Sequence, residues 1–305
     1  MDGIKRFLTV ACLAGCSGGG GGGGAGGQGD AGMNPGSDAP GDTGSNLGGD
    51  ALQVSGNDHC DGAFTINLAT MHSDLTTNPA GATADLAAPC GTAGTPDVFF
   101  KFTLTRREMV YADTFGASGT TALFFATSCS AARTASTTPG DAVCSTGACG
   151  TGQSQVVALL DPGTHYLVLA AQAAATIHFQ HVEVGSGTVA YLPPGSSAPT
   201  GTTMNGPGTL YACDAGGSEN AYWWQTCPSD TGGTFVASTC TGTNFDTILS
   251  LQMPGSENVF CDDDTCSVQS TVSANIPGGA GLNVIAVDGF SQSRYGNYTL
   301  TVSRP

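Results

Sequence analysis

Positive charge is scarce in this chain. Two lysines, Lys5 and Lys101, and six arginines stand against 24 acidic residues, leaving a net charge of −16. Binding nucleic acid takes a basic stripe that neutralises phosphates, so nucleic acid is excluded as a natural partner. The same acidity is repelled by anionic headgroups, so membrane attachment has to come from acyl chains, at about 0.8 kcal/mol per buried methylene. Long apolar runs are also missing, and beyond the first residues no segment reaches the length needed to span a bilayer. No Gly-x-Ser-x-Gly, His-Glu-x-x-His or phosphate loop occurs. The histidines, His59, His72, His165, His178 and His181, are scattered, and the last two fall on opposite faces of a strand-like stretch. No catalytic residues are assigned, and the expectation is a protein that is not an enzyme.

What is present begins with an export signal. Lys5 and Arg6 precede the apolar run Phe7 to Leu13, followed by Ala14, Gly15, Cys16, Ser17 and an unbroken glycine run, Gly18 to Gly24. That order is a secretory signal with a lipid attachment site. It resembles the lipobox of bacterial lipoproteins, which implies cleavage before Cys16 and acylation of that cysteine. An ordinary signal followed by an incidental cysteine is the plainer alternative. Residues 1–15 then form the signal peptide. Residues 16–50, mostly Gly, Ser, Asp, Asn and Pro, read as a disordered tether with an end-to-end distance of about 30 Å. Ser17 resembles the residue that permits outer-membrane sorting, so the expected location is the cell envelope, on the surface or periplasmic face of the outer membrane.

From residue 51 on, short runs rich in Val, Phe, Thr and Tyr alternate with Gly, Pro, Asn and Asp clusters. This predicts an all-β chain of short strands. The runs also repeat. Cys90 to Phe102 lines up with Cys213 to Thr226, Val110 to Phe125 with Val236 to Leu251, and Cys144 and Cys149 with Cys261 and Cys266. A duplication is the simplest account. It predicts two tandem β-sandwich domains, residues 51–186 and 187–305, with the boundary in Gly185 to Gly187.

Asn244-Phe245-Asp246-Thr247-Ile248-Leu249-Ser250-Leu251, Cys261 to Asp264, Pro277-Gly278, Val287-Asp288-Gly289-Phe290 and Gly296 to Val302 together resemble the bacterial pre-peptidase C-terminal (PPC) domain. Asn57 to Ala63 resembles the usual opening of that family in a more divergent first copy. The resemblance implies jelly-roll-like sandwiches that bind rather than catalyse. In some members it implies calcium and fibrous or polysaccharide ligands.

Three groups of residues carry the candidate chemistry. Asp246, Asp262, Asp263, Asp264 and Asp288 offer hard oxygen ligands suited to calcium. The plainer reading is that Asp246 and Asp288 cap turns and Asp262 to Asp264 form a solvated loop. In the first copy Thr120, Ser145-Thr146-Gly147 and Ala171 stand in their places, so all the acids vanish together. Tyr222, Trp223 and Trp224 form an aromatic run whose neighbours alternate in facing, so at least one large ring should approach the outer surface. It serves either to bind sugars or to fill the domain interface, as Phe99 and Phe100 would at the matching positions. Ten cysteines remain once Cys12 is removed and Cys16 acylated. Candidate pairs are Cys144 with Cys149, Cys261 with Cys266, Cys60 with Cys90 and Cys227 with Cys240. Five per half is odd, so either Cys129 joins Cys213 across the domains or the local pairs are wrong. The function expected is non-catalytic binding or scaffolding of polysaccharide or extracellular protein. An accessory or degenerate hydrolase module and a passive envelope spacer are the alternatives.

Overall fold

A computed structural model describes residues 56–133, 142–203, 208–210, 213 and 216–305. The signal peptide, Cys16 and the tether lie outside these residues. The described chain is all-β, with two short 3-10 turns, Cys60–Gly62 and Ala148–Gly150, and no α-helix.

Ten strands precede residue 185: β1 (Phe64–Thr65), β2 (His72–Thr77), β3 (Asp97–Leu104), β4 (Glu108–Asp113), β5 (Thr121–Ser128), β6 (Ala131–Ala132), β7 (Cys144–Ser145), β8 (Gln155–Leu160), β9 (Gly163–Ala171) and β10 (Ala175–Glu183). They form one sheet in the order β1-β3-β9-β5-β6, with β7 also on β5, and a second in the order β2-β10-β4-β8. Eleven follow: β11 (Val189–Tyr191), β12 (Gly195–Ser197), β13 (Thr200–Thr202), β14 (Asn220–Thr226), β15 (Gly233–Ser238), β16 (Thr247–Gln252), β17 (Phe260–Asp263), β18 (Thr271–Ile276), β19 (Gly281–Gly289), β20 (Asn297–Thr299) and β21 (Thr301–Arg304). Their main sheets run β11-β14-β19-β16-β17 and β12-β21-β15-β18, and β13 pairs with β20. Strand order is therefore the same in both halves, down to the short parallel strand at one edge, β1 on β3 and β11 on β14.

Each pair of sheets closes on an apolar core. Phe100 and Phe102 of β3 with Leu167 and Leu169 of β9 meet Val110, Val156, Ile177 and Phe179 of the facing sheet. In the second half Tyr222, Trp224, Leu249 and Ile285 meet Phe235, Val272 and Val302. Each such side chain contributes about 1.5 to 3 kcal/mol by leaving water. A buried knot of hydroxyls recurs beside each core. Thr114 Oγ1 lies 2.6 Å from Thr121 Oγ1, and Ser154 Oγ donates to Thr121 O at 2.7 Å. Thr239, Thr247 and Ser270 repeat this at 2.7 and 2.5 Å.

A third core joins the halves. Met109, Tyr111, Val157, Leu159 and Val182, from the outer face of the β2-β10-β4-β8 sheet, pack against Ala221, Trp223, Leu282, Val284 and Ala286 from the outer face of the β14-β19 sheet. Gln180 extends this seam like an extra strand residue. Its Nε2 donates to Leu282 O at 2.9 Å, and its Oε1 accepts from Leu282 N at 3.1 Å. The link from β10 to β11 passes tightly under the start of β14. A Cβ at Gly185 or Gly187 would collide with Glu219, and Gly185 also needs its positive φ of 67°.

All ten described cysteines are paired, but not as the spacing predicted. The bonds are Cys60–Cys129, Cys90–Cys144, Cys149–Cys227, Cys213–Cys261 and Cys240–Cys266. Equal spacing of Cys144–Cys149 and Cys261–Cys266 reflects the duplication and not local staples: Cys144 reaches back to Cys90 as Cys261 does to Cys213. One bridge does cross the seam, as the odd count required. It uses Cys149, turned by a left-handed backbone at φ 57°, and Cys227, not Cys129 and Cys213. Five disulfides fit an oxidising compartment outside the cytosol.

Candidate functional site

The register of three strands places Asp263 of β17, Ile248 of β16 and Asp288 of β19 in one row on the outer face of their sheet. Asp246, two residues before Ile248, and Asp264, in a left-handed turn at φ 66°, complete the acidic end. Carboxylate oxygens of Asp246, Asp263 and Asp264 lie within 4.8 Å of one another. Partial burial and then the charge of Asp264 raise the pKa of Asp246, and the same causes raise that of Asp263. Asp246 Oδ1 is buried without a hydrogen-bond donor, while Oδ2 lies 3.8 Å from Arg294 Nε. Three hard carboxylates around one unpartnered oxygen fit a calcium ion.

The other two acids do not join them. Asp262 is engaged in holding its own turn, accepting from Thr265 Oγ1 at 2.7 Å and Thr271 N at 2.6 Å. Asp288 is only 2% exposed; no well-aligned hydrogen bond reaches either oxygen, and only the backbone N–H groups of Gly217 and Gly289 approach them. Burial, then the charge of Glu219, push its pKa up to about 8, so the fold favours its protonated form far more than water does. Its counterpart by strand register is Ala170, opposite Ala122, and not Ala171.

The aromatic run is buried throughout, which removes it as a sugar platform. Tyr222 and Trp224 face the core of their own half, with Tyr222 Oη 2.8 Å from Tyr298 Oη and Trp224 stacked on Phe235 at 5.0 Å. Trp223 points the other way into the seam, edge-on to Tyr191. The interface reading therefore holds for Trp223 alone. Phe99 and Phe100 do not serve the seam: Phe99 packs with Phe124 and Val168 under loops of its own half, and Phe100 lies in the core. By register the position matching Trp223 is Lys101.

The seam leaves a cleft that sequence reasoning missed. At its margin Asp74 of β2, His178 of β10 and Asp113 of β4 stand in register on one outer face. His178 Nδ1 lies 2.8 Å from Asp74 Oδ1. Burial works to lower the His178 pKa, but the Asp74 hydrogen bond and the charges of Asp113 and Asp74 outweigh it and leave it raised. Asp113 accepts from Tyr111 Oη at 2.7 Å and Phe115 N at 2.9 Å, and burial leaves its carboxyl pKa raised. Gln155 Nε2 donates to both Tyr111 Oη and Thr226 O, tying this network to the second half. Glu257 reaches across to accept from Met71 N, His72 N and His72 Nδ1, while His72 Nε2 accepts from Gly255 N. Around these groups lies a cavity of about 490 Å³, walled by Pro228, Pro254, Gly255 and Gly279–Gly281. Phe115 and His178 also line a second, adjacent hollow of about 310 Å³ with Thr76, Ala175 and Thr176.

In two other sites the charged groups are held by partners within the site. A cavity of about 680 Å³ holds Arg106 and Arg107, but Arg106 forks onto Glu183, and Arg107 pairs with Asp161 and Gly187 O. Asp58, His59 and Asp85 gather at the Asn57–Ala63 opening, where Thr83 occupies Asp58 and His59 pairs with Asp85.

No family model matches the chain, and no curated protein is similar to it in sequence. Among solved structures, a "putative secreted protein" from Eubacterium rectale is similar over 69% of this chain and 70% of its own, at 14% identity and a TM-score of 0.19, which is too low to carry an argument about fold or function.

Proposed function

We propose that this protein is a non-catalytic binding lipoprotein of the cell envelope. A tether acylated at Cys16 would carry two PPC-like sandwiches at the outer membrane, where they hold a polysaccharide or an extracellular protein. One observation carries the reading: the seam core, Gln180 and the Cys149–Cys227 bridge fix the halves together and leave an open groove in a preset shape. Preorganisation of that kind favours binding by reducing the ordering cost. The groove's titratable groups already bond to neighbours, Asp113 to Tyr111 and His178 to Asp74, which supports holding a ligand over transforming it.

Calcium enters the proposal at Asp246, Asp263 and Asp264, where it would tie the loop before β16 to the end of β17. Retention of the full, oxidised protein on immobilised envelope polysaccharide or protein, with the ligand recovered unchanged, tests the binding reading. Release of product over time would point to the hydrolase alternative, and no retention on any fraction to the spacer. Cys16→Ser should move the protein from the membrane to the soluble fraction.

A further inference from the structure

The groove has a chemistry more specific than its shape. No lysine or arginine lines either of its two hollows, while Asp74 and Asp113 do, and Glu257 stands at the His72 end. The Asp74 side chain is 73% exposed, so its carboxylate is open to a ligand even while one oxygen holds His178. A chain with net charge −16 adds to the field that draws cations and repels anions. Phe115, a partly buried residue, lines both hollows. Beyond it Thr76 and Thr176 pair their hydroxyls at 3.1 Å across β2 and β10.

These groups sort the candidate ligands. An anionic polymer meets Asp74 and Asp113, and the imidazole beside them, His178, is already held by Asp74. An extended peptide gains most from a free strand edge; β10 at the centre of the floor has none, being hydrogen-bonded to β2 and β4, so a peptide would add to the outer edge of β2, beside the groove and not in it. A sugar ring brings apolar C–H faces for Phe115 and hydroxyls for Thr76 and Thr176. An ammonium on that ring would meet Asp74 in a charge-assisted hydrogen bond, in the cavity that Phe115 also lines.

We propose that the groove from Gly255 to Ala117 binds a saccharide chain carrying free amino groups, with the ammonium on Asp74, a ring over Phe115 and hydroxyls on Thr76 and Thr176. The proposal rests on the binding reading above and names the ligand class of that same body.

The test is a calorimetric titration of the full, oxidised protein with fully deacetylated glucosamine trimer, alongside the N-acetylated trimer, at mildly acidic pH where the amine is charged. Saturable binding is expected for the deacetylated trimer, and at least about ten-fold weaker binding for the acetylated one. Asp74→Asn and Phe115→Ala should each weaken binding by about ten-fold, and Thr76→Val by less. Rising salt should weaken it as the screening length falls from about 10 Å at 0.1 M to about 3 Å at 1 M. Unchanged melting temperatures show that the variants fold, and Thr76→Val, nearly isosteric, serves if Phe115→Ala does not. Equal affinity for both trimers, indifference to Asp74→Asn, or binding of trilysine in place of the deacetylated trimer would overturn the assignment. If no trimer binds yet the protein is still retained on an envelope fraction, the groove assignment falls and the binding reading stands. If neither occurs, both fall.

Discussion

The two halves share a strand order and a hydroxyl knot, but they cover their sheets in opposite ways. In the first half the outer face of the β3-β9-β5 sheet carries Phe99, Phe124 and Val168, and loops bearing Leu86, Ala88 and Cys60 close over it. In the second half the same face carries Ala221, Trp223 and Ala286, and the other half closes over it. By register, Lys101 stands where Trp223 does and Phe124 where Ser250 does. Large apolar residues under a half's own loops make that face self-sufficient. Small residues around one tryptophan leave it needing a partner. A few outer-face side chains thus decide which sheet docks, while inner-face residues common to both halves decide the fold.

The comparison is broken most directly at its centre. Trp223→Ala should cost about 3 to 5 kcal/mol in denaturant unfolding because the seam cannot collapse around the lost indole. Lys101→Ala, at the matching site, should stay within about 0.5 kcal/mol. Next comes the bridge: replacing Cys149 and Cys227 with Ser should cost about 2 to 5 kcal/mol, and limited proteolysis should show cutting at the seam. Removing Cys90 and Cys144 should leave the seam protected.

Asp288 separates the halves by pH. Its pKa, about 8 when folded against 3.8 as the ordinary value, is raised, so the native state binds a proton that the unfolded chain has released. Stability is therefore greatest below about pH 4 with respect to this group. It falls between there and about pH 8, at up to about 1.4 kcal/mol per pH unit. Asp288→Asn should flatten that slope, as measured by unfolding across the range. His178 and His181 also have raised pKa values. Burial lowers each, but His178 gains more from Asp74 and Asp113, and His181 more from Glu108. Their contribution is present below the unfolded pKa of 6.5 and is lost as pH rises through the folded value. The smallest contrast sharpens the likeness: Thr121→Val and Thr247→Val, each leaving a buried serine and threonine short of a partner, should cost similar amounts, about 1 to 3 kcal/mol.

The fold was legible because short apolar runs between turn residues admit little else, and the duplication because its offsets barely drift. The apolar run Val284 to Val287 carries the mark of a strand buried on both faces, though not of what covers it. Disulfide partners were illegible for a related reason. Equal spacing of Cys144–Cys149 and Cys261–Cys266 carries the repeat's history, whereas pairing depends on which loops meet in space. Alternation along β14 predicted that Trp223 and its neighbours part company, and they do. The acidic cluster was half legible: Asp263 and Asp264 are adjacent in sequence and Asp246 follows the same motif. That Asp262 turns to Thr271 and Asp288 is sealed beside Gly217 and Glu219 depends on contacts with distant segments. The groove left no local trace, since Asp74 and His178 are 104 residues apart and meet only through strand register.

The account stands on the seam making one body of two sandwiches. Differential scanning calorimetry of the full, oxidised protein measures this directly. One cooperative transition is predicted for the native sequence, and separation into two for Trp223→Ala with Cys149 and Cys227 replaced by Ser. Two independent transitions in the unaltered protein would contradict it.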